Sequence, residues 1–160
     1  MTVKGDLALD AKQLREHIVR PTLVHIDLWS DSAENLVVGT ALQESHIDYV
    51  KQLGCGPALG ICQMEPNTHD DIWENYLRYK PGLADRIDGL LAPWPEKRYA
   101  LVTNLAYAVA MCRIHYRRVP ARLPPAQNVA ELAAYWKRHY NTHLGAGKVE
   151  EFVRNYRHAA

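Results

Sequence analysis

Residues 39–48 read GTALQESHID, and within them Glu44 sets a chemical problem. Val37, Ala41 and Glu44 fall at i, i+4 and i+7, so the carboxyl shares the apolar stripe of a helix that ends directly behind it. A surface glutamate faces water. One on the apolar side is partly buried, loses hydration, and holds its proton toward neutral pH, where it can deliver it as a general acid. Two further stretches carry groups able to work beside such an acid: GICQMEP at 60–66 and HYNTHLGAG at 139–147.

These pieces need a frame to bring them together. The punctuation falls at Pro21, Gly54–Pro57, Pro81-Gly82, the PWP of 93–95, the PARLPP of 120–125 and the GAG of 145–147, and the segments between are mostly helical. Asp10 is placed to cap a short helix carrying Leu14 and Ile18, with a second short helix after Pro21. Asp31 and Glu34 form a capping-box pattern ahead of the Glu44 helix. Residues 46–64 are β-prone and glycine-rich, which predicts a small hairpin or irregular lobe. Thr68 and Asp71 suggest the start of the next helix, and Asn128 caps VAELAAYWKRHY. The longest periodic segment, residues 96–118, carries Leu101, Leu105, Ala108, Val109 and Cys112 on one stripe and is expected to be the central buried helix. A last helix holds Val149, Phe152, Val153 and Tyr156.

With 160 residues, one domain with one core is expected, spanning the whole chain. Nineteen basic against 18 acidic residues leave a net charge of +1, which is no footprint for nucleic acid, and the local RIHYRR of 113–118 reads as a solvated helix end. There is no apolar run long enough for a membrane span, and the opening MTVKGDLALDAKQL lacks the apolar core of a signal peptide. Three cysteines argue against a disulfide framework, so reduced thiols made in a cytoplasm are expected.

The three chemistry-bearing stretches, in this order and spacing, resemble the lysozyme-like superfamily, in its soluble lytic transglycosylase and goose-type lysozyme branch. The resemblance rests on Glu44-Ser45 at a helix end, on Gly60-Ile61-Cys62-Gln63-Met64 followed closely by Pro66, and on Tyr140-Asn141 before glycines, and it covers roughly residues 30–157. Cys62 departs from the methionine or similar residue usual in that motif, and His139 from a frequent alanine. The resemblance implies a mainly α (α+β, lysozyme-like) fold, a helical domain with a small β-hairpin lobe, a central buried helix and a substrate groove between them. It implies a monomeric bacteriophage lysis or virion-associated enzyme, without cofactor or metal. Such an enzyme is made without a signal peptide and acts on peptidoglycan glycan strands in the periplasm.

Under that resemblance Glu44 is the catalytic acid, protonating the oxygen that leaves when the β-1,4 bond between N-acetylmuramic acid and N-acetylglucosamine breaks. Ser45 is expected to hydrogen-bond the substrate. Gln63, with a donor and an acceptor on one amide, suits an N-acetyl sugar, as does Asn141, and Met64 joins the substrate-binding set. Tyr140 is expected to hold the acid's carboxyl and to offer a ring face to a sugar. The second half of the reaction stays open. A hydrolase needs a second carboxylate, about 5 Å from the first for retention and about 6.5–9.5 Å for inversion, and Glu65 and Asp48 are the candidates. Asp70 and Asp71 are assigned instead to the first turn of their helix. A transglycosylase needs one acid alone, and the single well-placed Glu44 favours it.

Two other readings compete. His139 and His143 stand at i, i+4, as in a zinc amidase, but no glutamate follows His139 in the metalloprotease pattern, and Cys55 and Cys62 lack metal-ligand spacing. A non-catalytic sugar-binding protein has no need of a buried acid.

Overall fold

A computed structural model describes residues 8–141 and 145–159. The chain is mainly helical. The elements are α1 (Ala11–Leu14), a π-helical turn (Arg15–Val19), α2 (Arg20–His25), α3 (Asp31–Ser45), α4 (Pro66–Asn75), a 3-10 turn (Leu77–Tyr79), α5 (Pro81–Asp88), α6 (Ala100–Thr103), α7 (Leu105–Arg117), α8 (Val129–Trp136), a second π-helical turn (Lys137–Asn141) and α9 (Val149–Ala159). Among the described residues no helix is long and apolar enough to cross a membrane.

The expected break at Pro21 is absent. Helix α1, the π turn and α2 run on without interruption, and Pro21 sits in the first turn of α2. Proline lacks an N–H and cannot complete the α ladder; a wider π register just ahead of it accommodates that loss. The periodic segment 96–118 does break, at Asn104. Its side chain accepts from the Tyr107 N–H at 2.9 Å to cap α7 and donates to the Leu90 carbonyl at 2.8 Å. From Tyr107 to Ile114, α7 is buried on every side, as expected for the central core helix.

Helix α3 packs against α7, α8 and α9. Its cap is Ser30, whose hydroxyl accepts from the Ala33 N–H, rather than Asp31. That one-residue difference frees Glu34 from a capping box. Buried in the core, Glu34 receives Arg15, Arg20 and the Trp29 indole at 2.7–3.0 Å. Burial pushes its carboxyl up, but the bonds from Arg20, Trp29 and Arg15 outweigh that and hold it at about 2. On the opposite face Gly39 lets the Phe152 ring of α9 close on the helix: a Cβ there would lie 2.3 Å from the ring. Phe152 in turn packs on Trp136 of α8, ring centroids 5.4 Å apart.

The β-hairpin expected over 46–64 does not form as regular strands. The segment is turn-rich and held by two isolated antiparallel bridges, Lys51 with Leu59 and Leu59 with Met64. The glycine and proline positions at 54–57 and the tight turn at 60–63 leave too few consecutive extended residues for a ladder. At that second turn Gly60 has φ +80° and lies so close to the Leu101 carbonyl that a Cβ would meet it at 2.3 Å. Helix α4 begins at Pro66, with Glu65 at its N-cap, so Thr68 and Asp71 form no capping box. Asp71 pairs with Arg118 and Asp70 with Arg98. Tyr107 fixes α4 to α7: its hydroxyl lies 2.7 Å from His69 Nε2 and accepts from the Trp73 indole at 2.9 Å. Asp10 and Asn128 cap α1 and α8 as expected.

The Gly39–Phe152 contact yields the first prediction. Gly39→Ala forces a buried ring that is already braced by Trp136, so it is expected to destabilise the protein by about 1–3 kcal/mol, measured by denaturant unfolding.

Candidate active site

Helix α3 ends immediately after Glu44 because the backbone turns left-handed at two successive non-glycine residues, His46 (φ 52°) and Ile47 (φ 50°). Ser45 holds that turn. Fully buried, its hydroxyl donates to the Ile61 carbonyl at 2.6 Å and accepts from the Ile47 N–H at 3.2 Å. Tyr49 adds a bond from its hydroxyl to the Glu44 carbonyl at 3.0 Å. The stop behind Glu44 therefore bolts the helix end to the 46–64 lobe. Ser45 is a structural bolt and does not line the cleft; the expectation of a substrate contact there is corrected.

The Glu44 side chain lies in a cleft of about 520 Å³, lined also by Tyr49, Gln52, Gln63, Met64, Glu65, Thr68, His115, Tyr140 and Asn141. The Trp136 indole N–H donates to Glu44 Oε1 at 3.0 Å, and Asn141 lines the cleft with the carboxyl. Lys137 is the nearest cation, but its ammonium is engaged by Asn141 Oδ1 at 2.7 Å and the Gly145 carbonyl at 2.9 Å. Burial thus wins: it raises the Glu44 carboxyl to about 7, against the opposing pull of Trp136, Asn141 and Lys137. A carboxyl with that value is poised to donate a proton near neutral pH.

The other expected residues divide. Gln63, Met64, Tyr140 and Asn141 all line the cleft. Gln63 adopts φ 49°, and its amide nitrogen donates back to the Gly60 carbonyl at 2.8 Å, which fixes the turn it sits on. Tyr140 does not hold the acid. Its hydroxyl donates to the Cys62 carbonyl at 2.6 Å, so it ties the second π turn to the lobe, and burial pushes its phenol well up. The group bonded to the carboxyl is Trp136, which sequence reasoning missed. A buried indole N–H needs an acceptor, and that requirement was the available signal. His115, also missed, shares the cleft wall with Tyr140. Of the two second-carboxylate candidates, Glu65 lines the cleft and Asp48 does not; Asp48 is exposed on the turn behind Ser45. Cys55, Cys62 and Cys112 are free thiols. His143, one half of the zinc reading, lies outside the described residues; His139 packs against Tyr135 with a buried Nε2 that has no hydrogen-bond partner.

No family model matches this chain, and neither a curated protein nor a solved structure matches it.

The raised carboxyl carries a stability signature. Its folded value, about 7, lies above its unfolded one, so its contribution is fully present below about pH 4.5 and is lost as pH rises through about 7. Glu44→Gln removes that loss. The variant's unfolding free energy relative to wild type is expected to gain on the order of 2–3 kcal/mol between pH 4 and pH 8, read by urea denaturation at both pH values. Parallel profiles would mean an ordinary solvated carboxylate.

Proposed function

We propose that the protein is a peptidoglycan-degrading glycosidase with a lysozyme-like fold, cleaving the β-1,4 bond between N-acetylmuramic acid and N-acetylglucosamine as a lytic transglycosylase. The observation that carries the reading is Glu44: a half-buried carboxyl in an open cleft, bonded by the Trp136 indole N–H at 3.0 Å and raised to about 7 by burial, with no cation bonded to it among the described residues. The placement of Gln63, Met64, Tyr140 and Asn141 around the same cleft supports it.

In this mechanism Glu44 protonates the glycosidic oxygen and the bond to the anomeric carbon breaks, releasing N-acetylglucosamine with a free 4-hydroxyl. The 2-acetamido group of the muramic acid stabilises the cation. The sugar's own 6-hydroxyl then attacks the anomeric carbon and returns its proton to Glu44. No water is consumed, and the product ends in 1,6-anhydro-N-acetylmuramic acid. The open cleft leaves room for an extended strand, and the amides of Gln63 and Asn141 are of the type that pairs with acetamido groups. On this reading the enzyme is of bacteriophage origin, acts as a monomer and reaches its substrate in the periplasm from a cytoplasmic site of synthesis.

Hydrolysis is the second reading, favoured by one observation: Glu65 lines the same cleft as Glu44. Glu65 would then serve as base or nucleophile across the sugar.

The test is the mass of the muropeptides released from purified peptidoglycan. Anhydro ends, with Glu65→Gln and Asp48→Asn both active, are expected. Reducing ends, together with a folded and inactive Glu65→Gln, would make the enzyme a hydrolase. Glu44→Gln keeps the side chain's shape but cannot give a proton, and is expected to lower cleavage about 100-fold or more. Wild-type activity should fall as pH rises through about 7, because the acid must be protonated to act. Full activity in Glu44→Gln would end the reading.

A further inference from the structure

His115 stands on α7 where contacts from Arg118, His139 and Tyr140 converge. Its Nδ1 lies 3.1 Å from an Arg118 guanidinium nitrogen, and its Nε2 lies 3.1 Å from the His139 carbonyl oxygen. Arginine has only donors, so Nδ1 must accept and Nε2 must carry the hydrogen that goes to His139. Arg118 is itself fixed from α4, donating to Asp71 at 2.5 Å. The His115 and Tyr140 rings pack edge to face, with centroids 4.8 Å apart and planes at 79°. The charged or titratable groups facing it are therefore Arg118 and Tyr116 from its own helix, Asp71 from α4, and His139 and Tyr140 from the π turn, with Glu44 across the cleft.

The carbonyl that His115 grips belongs to the π turn of 137–141, the element that delivers both Tyr140 and Asn141 to the cleft. Tyr140 is tied at its far end to Cys62, and Asn141 lines the cleft with Glu44. On the opposite side of the turn, Lys137 clamps Asn141 to Gly145. His115 is the side chain of the core helix whose hydrogen bond reaches this turn.

We propose that His115 is a positioning residue for the Glu44 site: fixed as the Nε2–H tautomer by the Asp71–Arg118 pair, it pins the His139 carbonyl and thereby sets where Asn141 stands in the Glu44 cleft. The proposal extends the glycosidase reading, on which its kinetic readout rests. Its structural readout, the titration of Glu44, does not need that reading. Burial and the nearby Arg118 keep His115 neutral, lowering it to about 4, so the tautomer persists at the pH at which Glu44 titrates.

The consequence has a definite sign. Asn141 in the cleft lowers the Glu44 value against burial, so a π turn that drifts carries Asn141 away and lets Glu44 rise further. His115→Leu keeps volume and removes the donor. In this variant the Glu44 side-chain carboxyl, followed by carbon-13 NMR in the absence of substrate, is expected to titrate about one pH unit higher than in wild type. The rate of peptidoglycan cleavage is expected to fall about 10-fold through kcat, with KM nearly unchanged, and the alkaline limb to move up in step. His115→Gln, which restores an N–H toward the His139 carbonyl, should recover most of both effects. If His115→Leu does not fold, Arg118→Met decides on the same titration, because it releases the tautomer from the outer end. A folded variant in which Glu44 titrates as in wild type overturns the proposal. If wild type cleaves no glycan, the glycosidase reading fails while the titration still decides this one.

Discussion

The site depends on one imbalance: burial raises the Glu44 carboxyl, and among the described residues no cation bonds to it. Helix α3 provides its own control, because it carries a second buried carboxylate ten residues earlier. Glu34 receives two guanidinium groups and an indole and is held at about 2; Glu44 receives one indole and rises to about 7. The two share a helix and differ both in their partners and in how far burial raises each carboxyl. Charge-assisted bonds offset the cost of desolvating an anion, and neutral donors offset it only in part. Among the described residues the ammonium that pulls on Glu44, that of Lys137, is diverted to Asn141 and Gly145 and leaves the carboxyl undercompensated.

Much of the architecture serves to hold that arrangement. Gly39 admits Phe152, Phe152 braces Trp136, and the Trp136 N–H meets the carboxyl. Packing between α3 and α9 thereby fixes a donor at the cleft. From the other side Ser45 locks the end of α3 to Ile61, and Tyr140 locks the π turn to Cys62. The lobe of 46–64 has little regular structure of its own and takes its position from these two bolts and from the close approach of Gly60 to Leu101. Two left-handed residues after Glu44 and one at Gln63 are strained conformations held by this surrounding structure.

The sequence made the helical class legible, along with the buried α7, the caps at Asp10 and Asn128, and the convergence of Glu44, Gln63, Met64, Glu65, Tyr140 and Asn141 on one cleft. The helices and caps follow from periodicity and capping chemistry, and the shared cleft from the family resemblance that the three short stretches carry. Direction was not legible. A hydroxyl beside an acid can face the groove or the core, and Ser45 faces the core. A tyrosine near an acid can hold it or hold something behind it, and Tyr140 holds the Cys62 carbonyl. A cap can shift by one residue, from Asp31 to Ser30, and that shift released Glu34 for its ion-pair cluster. Trp136 and His115 escaped notice because their roles come from long-range packing, over 92 residues to Glu44 and over 24 to His139, which no local pattern encodes.

The central claim is that Glu44 holds its proton into the neutral range because it is buried beside neutral donors. The most direct measurement is a carbon-13 NMR titration of the glutamate side-chain carboxyls in the wild-type protein, with Glu44 assigned by comparison with Glu44→Gln. A midpoint near pH 7 for that resonance is the expected result. A midpoint in the ordinary carboxylate range, near pH 4.5, would contradict the account.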